Sequence, residues 1–360
     1  MLVEITDLSS SGEGVGHVDG MAVFVDGALP GERVKLKDLI KKKRFAKAQL
    51  EKVVEASPDR VKPVCPLFGT CGGCQIMHLD YEKQLEFKRK RVQEALRRIG
   101  GFDIEVEKCI PSPRQLGYRN KIHLHNGGFY KKHSHEIVKV DRCYIHNEIG
   151  EKALPSVHGV KEAIIKTSFA DGQVMRVVDG VADKEAIYET LGDLRFEIGP
   201  RDFFQINPEQ ALNLYRVAIE FAGIKKGDHV LDAYCGVGCL ALFASKVAKS
   251  VHGIESGRQA ILRAKKNAEL NGVKNVSFEC GHVEQSDLAC DVLFINPPRG
   301  GLAEGVVDRI KARTCVYISC DPATLARDLK KLSSYRLVKV QPLDMFPQTV
   351  HVETVCLLQR

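Results

Sequence analysis

Short apolar runs separated by glycine-rich turns fill the first part of the chain. These runs cover residues 2–5, 21–25, 33–36 and 46–54. The segment SSSGEGVGHVDG, at positions 9–20, is a long turn signal between two of them. Short β-prone runs bounded by such turns indicate strands of an all-β unit. The pattern predicts a small antiparallel β-barrel over residues 1–56, and prolines at 58, 63 and 66 mark the exit from it.

Strand-like runs and amphipathic helical segments alternate over the last part of the chain, from residue 199 to 360. The runs cover residues 228–234, 250–255, 276–280, 292–296, 315–319, 337–342 and 350–358. Helical segments such as 258–271 separate the first five, which predicts an α/β domain with a doubly wound parallel sheet. No helix separates the last two runs, so we expect an antiparallel hairpin at the sheet edge.

Residues 57–198 between these two units have a mixed pattern. Apolar positions at helical spacing predict a helix over 81–99, which Gly100 and Gly101 end. Strand-like pieces follow at 121–124 and 174–178. We therefore expect three domains, with boundaries after residues 56 and 198.

The composition is that of an ordinary globular protein, with 44% hydrophobic and 28% charged residues. There is no apolar run long enough to span a membrane and no secretion signal, so we expect a cytoplasmic protein with no membrane partner. Nothing in the sequence implies a protein partner. Twelve cysteines in such a chain favour metal ligation or thiol chemistry over disulfides.

The net charge of +7 is concentrated in two basic runs, KKKRFAK at positions 41–47 and KRKR at 88–91. Runs of this kind suit a nucleic-acid backbone, and a solvated helix face is the alternative interpretation.

A strand, a glycine-rich turn and a helix start are predicted for VLDAYCGVGCLA at positions 230–241. Glycines allow the backbone to approach a ligand closely. Glu255 ends the next strand, where an acidic side chain can bind ribose hydroxyls. The pattern fits both NAD and S-adenosylmethionine.

The sequence NPPRGG after the fourth strand favours S-adenosylmethionine. It places Asn296 and two prolines at a carboxyl end of the sheet, where ligands bind. A methyltransferase holds the acceptor group there, whereas a dehydrogenase has no evident need for this loop. Arg299 offers a planar cation in place of the aromatic residue that amino-group methyltransferases often carry. A loop stop without chemical function is the alternative.

Cys320 lies between the fifth strand and a helix that begins DPATLARDL. Asp321 is a suitable N-cap and Pro322 suits the first turn. A thiol at a helix N-terminus is expected to have a lowered pKa, which favours the nucleophilic thiolate. The alternative is an inert strand cysteine.

Glu353 is a single carboxylate within the apolar run HVETVCLL. If it faces the site, partial burial would raise its pKa and suit it to general-base catalysis. An outward-facing edge residue is the alternative.

Cys65, Cys71 and Cys74 form a compact cluster, and Cys143 follows far along the chain. Four thiolates suit either tetrahedral Zn²⁺ or a 4Fe–4S cluster, and the spacing leaves both open.

The motifs YISCDPATLARD, NPPRGG, LDAYCGVG, DFFQIN and HVETV resemble those of the RNA uracil-5-methyltransferase family. Within this family, the chain more closely resembles bacterial 23S rRNA uracil-5-methyltransferases, and the likeness runs nearly end to end. It implies an N-terminal OB-like TRAM barrel, a mixed central iron–sulfur domain and a Rossmann-like S-adenosylmethionine-dependent methyltransferase domain.

The resemblance also implies roles for individual residues. Cys320 would be the nucleophile that adds to C6 of uracil, and Glu353 would be the base that removes the C5 proton. S-Adenosylmethionine contacts are implied for Gln205, Tyr234, Glu255 and Asn296. The family commonly has aspartate where this chain has Asn296. Cysteines 65, 71, 74 and 143 would hold a 4Fe–4S cluster with a structural or RNA-docking role.

The implied partner is RNA, with 23S rRNA favoured and position 54 of tRNA as the alternative. The barrel and the basic runs suggest that it is held mainly through phosphates.

Overall fold

A computed structural model describes residues 1–157 and 159–360 of the chain. Its first five strands form a closed barrel in the order β1-β2-β3-β5-β4. They are β1 (Leu2–Leu8), β2 (Gly14–Val18), β3 (Met21–Val25), β4 (Arg33–Lys41) and β5 (Ala46–Glu55). Alternate residues such as Val3 and Ile5 fill the barrel core. The predicted barrel is confirmed, although β3 and β5 pair in parallel, which residue alternation does not reveal.

Helix α1 (Tyr81–Ala95) follows the barrel and continues as a π-helical turn over Leu96–Gly100. Asp80 caps α1 by accepting a hydrogen bond from the Glu82 amide at 3.0 Å. Lys88 is fully buried and donates to Asp344 Oδ1 at 2.5 Å. This ion pair ties α1 to the C-terminal end of the chain, and removing one partner would leave the other charge buried and unpaired.

The central part is built on a six-stranded antiparallel sheet with the order β11-β10-β9-β6-β7-β8. Its strands are β6 (Lys121–His125), β7 (Gly128–Tyr130), β8 (Ile137–Lys139), β9 (Glu162–Thr167), β10 (Val174–Val178) and β11 (Val181–Ala182). Helix α2 (Glu148–Glu151) and a short 3₁₀ helix (Leu154–Val157) precede β9. A hairpin of β12 (Ile187–Leu191) and β13 (Leu194–Ile198) follows, and its apolar residues join the core of the C-terminal part.

The C-terminal part is a seven-stranded sheet with the order β16-β15-β14-β17-β18-β20-β19. Its strands are β14 (His229–Ala233), β15 (Ser250–Glu255), β16 (Val276–Cys280), β17 (Val292–Ile295), β18 (Thr314–Ser319), β19 (Arg336–Leu343) and β20 (Glu353–Gln359). Its helices are α3 (Pro208–Ala222), α4 (Cys239–Ser245), α5 (Arg258–Leu270), α6 (Val306–Arg309) and α7 (Pro322–Lys331).

The first five strands of this sheet are parallel, and apolar clusters cover both of its faces. The predicted α/β domain is therefore confirmed. The predicted antiparallel edge is also present, because β20 is antiparallel to both β18 and β19. The last strand lies between them, which brings its beginning, at Glu353, next to the carboxyl edge of β18. Within the described ranges, no helix has the length and apolarity needed to cross a bilayer.

Candidate active site

The carboxyl end of β18 and the beginning of β20 lie at the same edge of the large sheet. The two strands are antiparallel, with Ser319 opposite Thr354. Cys320 follows the first of these residues and Glu353 precedes the second, so the register brings them together. Open α/β sheets bind their ligands at this carboxyl edge. The structure thus joins the two predicted catalytic residues in one place.

Cys320 occupies the predicted junction of strand and helix. The Asp321 side chain caps α7 by accepting a hydrogen bond from the Thr324 amide at 2.8 Å. Pro322 is in the first helical turn. Cys320 itself is half-buried. The short cap fixes the thiol at the end of a rigid strand.

The prediction of a lowered pKa for Cys320 is wrong in its net direction. Burial raises the pKa of the thiol, the nearby Glu353 carboxylate adds to the increase, and the charge of Arg299 opposes it. A thiolate loses its hydration when water is excluded, and here that loss outweighs the effect of the helix N-terminus and the arginine.

Glu353 is only 4% exposed, which excludes the alternative of an outward-facing edge residue. Burial raises its pKa to about 8, and Arg299 opposes this shift as it does for Cys320. Arg299 lies exposed on the loop after β17. One cation therefore acts on both the thiol and the carboxyl group.

His351 is a further member of this site that sequence reasoning did not single out. Burial and the charges of Arg299 and Arg91 lower its pKa to about 4, so its imidazole is neutral at physiological pH. The ring packs edge-on against Phe346, with 5.9 Å between centroids. Its position two residues before Glu353 is the sequence feature that could have identified it.

The glycine-rich turn between β14 and α4 has the backbone that only glycine adopts easily. Gly236 and Gly238 have φ angles of +54° and +85°. A Cβ atom on Gly238 would approach the Phe278 ring to 2.9 Å. Tyr234 has φ of +67°, a strained conformation for an aromatic residue and one often found at functional sites.

Glu255 lies directly beside this turn. Its Oε2 accepts from the Gly236 amide at 3.3 Å, and its Oε1 accepts from the Gly257 amide at 2.8 Å. On the other side of β14, the Asn296 amide donates to the Ala233 carbonyl at 3.4 Å. The structure therefore assembles Tyr234, Glu255 and Asn296 at the adjoining ends of β14, β15 and β17.

Gln205 lies outside this group in its described contacts. It is 5% exposed and precedes α3, and its carbonyl accepts from Asn120 Nδ2 at 3.0 Å. Helix α3 packs against β18 and β20, the strands that carry Cys320 and Glu353 at their ends. Gln205 precedes this helix. The resemblance, and not a contact, supports its place in the cofactor site.

Asp232 is a buried carboxylate at the base of the turn that sequence reasoning passed over. Burial raises its pKa to about 7, and the Ala241 backbone amide opposes the shift. A carboxylate within the otherwise apolar run of β14 is the sequence feature that could have identified it.

The four predicted metal-ligating cysteines also come together, far from Cys320 in the sequence. All of them line one cavity of about 200 Å³ in the central part, with Arg119 and Arg142 at its wall. The Gly73 amide donates to Cys71 Sγ at 3.4 Å, and the Cys143 amide donates to Glu151 Oε2 at 2.9 Å. Burial and the other three cysteines raise the pKa of Cys74.

The chemistry of the donor set limits the group that these four cysteines can hold. All four offer soft thiols to one cavity. Such a set suits either tetrahedral Zn²⁺ or a 4Fe–4S cluster.

The two basic runs differ in the structure. Residues 41–44 are exposed at the β4–β5 turn, as a phosphate-binding surface requires. In the second run, Lys88 is buried against Asp344, the Arg89 guanidinium donates to the Val106 carbonyl at 2.7 Å, and the Arg91 guanidinium donates to the Val350 carbonyl at 2.5 Å. The second run therefore serves mainly to hold α1 in place.

Comparison with known proteins gives matches along the whole chain. Residues 278–360 match the tRNA (Uracil-5-)-methyltransferase family, residues 1–50 match the TRAM domain, and residues 212–303 match the ribosomal protein L11 methyltransferase (PrmA) family. An uncharacterized RNA methyltransferase of Caldanaerobacter subterraneus subsp. tengcongensis is 37% identical over 99% of this chain and 97% of its own length.

A second uncharacterized RNA methyltransferase, from Halalkalibacterium halodurans, is 36% identical over 99% of this chain and 96% of its own length. Among solved structures, the Pyrococcus abyssi tRNA (uracil-54, C5)-methyltransferase in complex with S-adenosyl-L-homocysteine is similar. It has a TM-score of 0.81 and 30% identity, and the match covers 99% of this chain and 100% of that one.

Proposed function

The chain belongs to the RNA uracil-5-methyltransferase family, and from this premise we propose that it methylates C5 of a uridine in 23S rRNA. It is an S-adenosylmethionine-dependent enzyme that acts on RNA. The observation that carries the proposal is the meeting of Cys320, Glu353 and Arg299 at the carboxyl edge of the sheet.

Cys320 begins the reaction by attacking uracil. C5 of uracil is a poor nucleophile, and addition of the thiolate at C6 converts the ring into an enolate with electron density at C5. The Sγ–C6 bond forms while the C5–C6 π electrons move toward O4. The charge of Arg299 favours the thiolate and can stabilise the enolate oxygen.

Glu353 completes the reaction. Its carboxylate removes the proton from C5 after methylation, the C5–C6 double bond re-forms, and the Sγ–C6 bond breaks to free the thiolate. A pKa of about 8 makes it a stronger base than an ordinary carboxylate.

The methyl donor is held beside the glycine-rich turn. Glu255 and Tyr234 lie at that turn, Asn296 lies on the neighbouring loop, and Gln205 is added on the strength of the resemblance. S-Adenosylmethionine supplies the methyl group when bound there. An asparagine at position 296 offers an amide in place of a carboxylate, so that contact carries no charge.

The central domain, residues 57–198, holds a 4Fe–4S cluster in this proposal, with Cys65, Cys71, Cys74 and Cys143 as ligands. The support is the cavity that all four cysteines line, together with the family resemblance. Because Cys143 is distant in sequence from the other three, the cluster would stabilise the domain by joining two segments. No electron-transfer step is required by the methylation chemistry.

RNA would bind across the barrel (residues 1–56) and the methyltransferase domain (residues 199–360). A groove of about 530 Å³ supports this path, because it lies between the barrel, α1 and the start of α7. Its wall includes Lys90 and Arg98, which pair with Asp7 and Glu94 of the same wall, and Arg91 and Asp321, the neighbour of Cys320. Binding through phosphates would weaken as salt concentration rises.

A second candidate substrate is uridine 54 of tRNA, which the likeness to the Pyrococcus abyssi enzyme favours. The two substrates are separated by mapping 5-methyluridine in rRNA and tRNA from a strain that lacks the gene. We expect loss of the modification from 23S rRNA and its return with the wild-type gene. Loss confined to tRNA would replace the rRNA proposal, and unchanged rRNA and tRNA would refute both.

A further inference from the structure

Two histidines share the exposed face of β6, away from the site of methylation. His123 and His125 are separated by one residue, so both side chains project from the same side of the strand. Ile122 and Leu124 point the opposite way into the core of the central sheet. His123 is exposed and His125 is half-buried.

A carboxylate from the adjacent strand faces these rings. β9 pairs antiparallel with β6, and Glu162 is directly opposite His125. Glu162 Oε1 lies 2.6 Å from His123 Nε2. One ligand atom from each of the three residues lies within 4.8 Å of the other two. In the part of the chain that the structure describes, no other three such groups are this close.

We propose that His123, His125 and Glu162 bind a divalent transition-metal ion, with Zn²⁺ as the best fit. Two imidazoles and one carboxylate are a common three-residue set for zinc, and they leave a fourth position open to water or another ligand. Imidazole nitrogens disfavour Mg²⁺ and Ca²⁺, which prefer oxygen ligands. The Glu162 carboxylate disfavours an anion such as phosphate at the same point.

The three residues are already held near one another. The His125 ring packs against the His123 and Tyr130 rings, with centroid distances of 4.3 and 4.6 Å. The Glu162 amide donates to Asp179 Oδ1 at 3.0 Å. Strand pairing fixes the backbone beneath them, so binding requires little rearrangement of the chain.

This site is separate in chemistry from the cysteine cavity, although His123 also contributes to that cavity's wall. The cysteines offer soft sulfur ligands, whereas this triad offers nitrogen and oxygen. An ion bound here would bridge β6 and β9 on the outer face of the central sheet. The inference goes beyond the methylation reaction and does not depend on the RNA substrate.

The test is to titrate the purified full-length protein with Zn²⁺, monitored by calorimetry, and separately with Co²⁺, monitored by absorbance. The protein is prepared anaerobically so that its cysteine site stays in the state in which it was isolated. We expect one added ion per chain. Histidine and carboxylate ligation predicts a Co²⁺ spectrum without the intense sulfur-to-metal charge-transfer bands of thiolate sites. H123A, H125A and E162Q should each weaken binding by at least about tenfold, since ligand loss should cost no less than loss of an outer-shell partner.

H252A is the matched control. His252 Nε2 lies 3.3 Å from Glu279 Oε2 across two neighbouring strands, but among the described residues this pair has no second histidine within reach. Its loss should leave the stoichiometry and affinity unchanged. Circular dichroism checks that each variant is folded, and E162Q keeps the shape of the side chain while removing its charge. Unaltered binding in all three triad variants, or thiolate bands in the Co²⁺ spectrum, would overturn the proposal.

Discussion

The protein contains two cysteine sites whose buried thiols have different charged neighbours. Cys320 is half-buried at the sheet edge, where the charge of Arg299 opposes the rise in its pKa. Cys74 in the central cavity is surrounded by Cys143, Cys71 and Cys65, each of which raises its pKa further, and the charge of Arg119 opposes the rise. The first site has a protein cation beside a single sulfur, and the second has several sulfurs that repel one another as thiolates.

This difference explains why the same residue type suits two kinds of chemistry. Burial makes any thiolate costly, so a cation must compensate. At Cys320 the cation is a side chain that leaves the sulfur free to bond to carbon. In the cavity, a metal group would supply the positive charge and occupy the sulfurs. The following variants test each half of this comparison.

Replacing Cys320 should have the largest effect on activity. C320A removes the only atom proposed to bond to C6, and methylation should fall by at least about 10³-fold. Binding of S-adenosylhomocysteine, measured by calorimetry, should stay near the wild-type value because the glycine-rich turn is intact. C280A, which removes an exposed cysteine at the end of β16, is the control and should remain active. Near-normal methylation by C320A would rule out the covalent mechanism.

Replacing Glu353 should interrupt the same pathway one step later. E353Q keeps the size of the side chain but removes the base, so turnover should fall by about 10²–10⁴-fold. The sulfur–C6 bond can still form, and the protein–RNA adduct should accumulate on denaturing gels and in intact-mass spectra. The double variant C320A/E353Q should give no adduct. An adduct that persists in the double variant would mean that another residue bonds to the RNA.

Replacing a cavity cysteine should affect the metal and the stability before it affects the chemistry. C74S should lose iron and visible absorbance, and the melting temperature should fall by about 5 °C or more because two distant segments are no longer joined. The double variant C74S/E353Q should still form the RNA adduct. C290S alters another half-buried cysteine outside the cavity and should keep its iron. A colourless wild-type protein that contains zinc would contradict the cluster.

The fold was largely predictable because it depends on local patterns. Alternating residues predict the barrel, and the succession of strands and helices predicts the parallel sheet with its antiparallel edge. The parallel pairing of β3 with β5 was not predictable, since it depends on contacts between distant segments. The same holds for Lys88, whose partner Asp344 lies 256 positions further along the chain.

The site was predictable in its residues but not in its energetics. The Asp321 cap could be identified from the sequence, and it places Cys320 where expected. The direction of the thiol's pKa shift could not, because it is set by how far tertiary packing excludes water from Cys320 and Glu353. His351 was missed because a histidine in an apolar run gives no indication of the arginines that surround it.

Replacing Arg299 should have the smallest effect and should appear mainly as a change in pH dependence. Glu353 acts as a base only when deprotonated, so the wild-type rate should rise as pH increases through about 8. Arg299 lowers the pKa of both Glu353 and Cys320, so R299Q should move this rise to higher pH. A displacement of one pH unit would reduce the rate near neutrality by about tenfold.

The conservative variant R299K separates charge from shape. A lysine keeps the positive charge, so its pH profile should stay close to that of the wild type even if loss of the planar fork lowers the maximal rate. R336Q removes an exposed arginine at the beginning of β19 and should leave the profile unchanged. Identical pH profiles for R299Q and the wild type would mean that the thiol and the carboxyl group are tuned without Arg299, and the contrast between the two cysteine sites would then rest on burial alone.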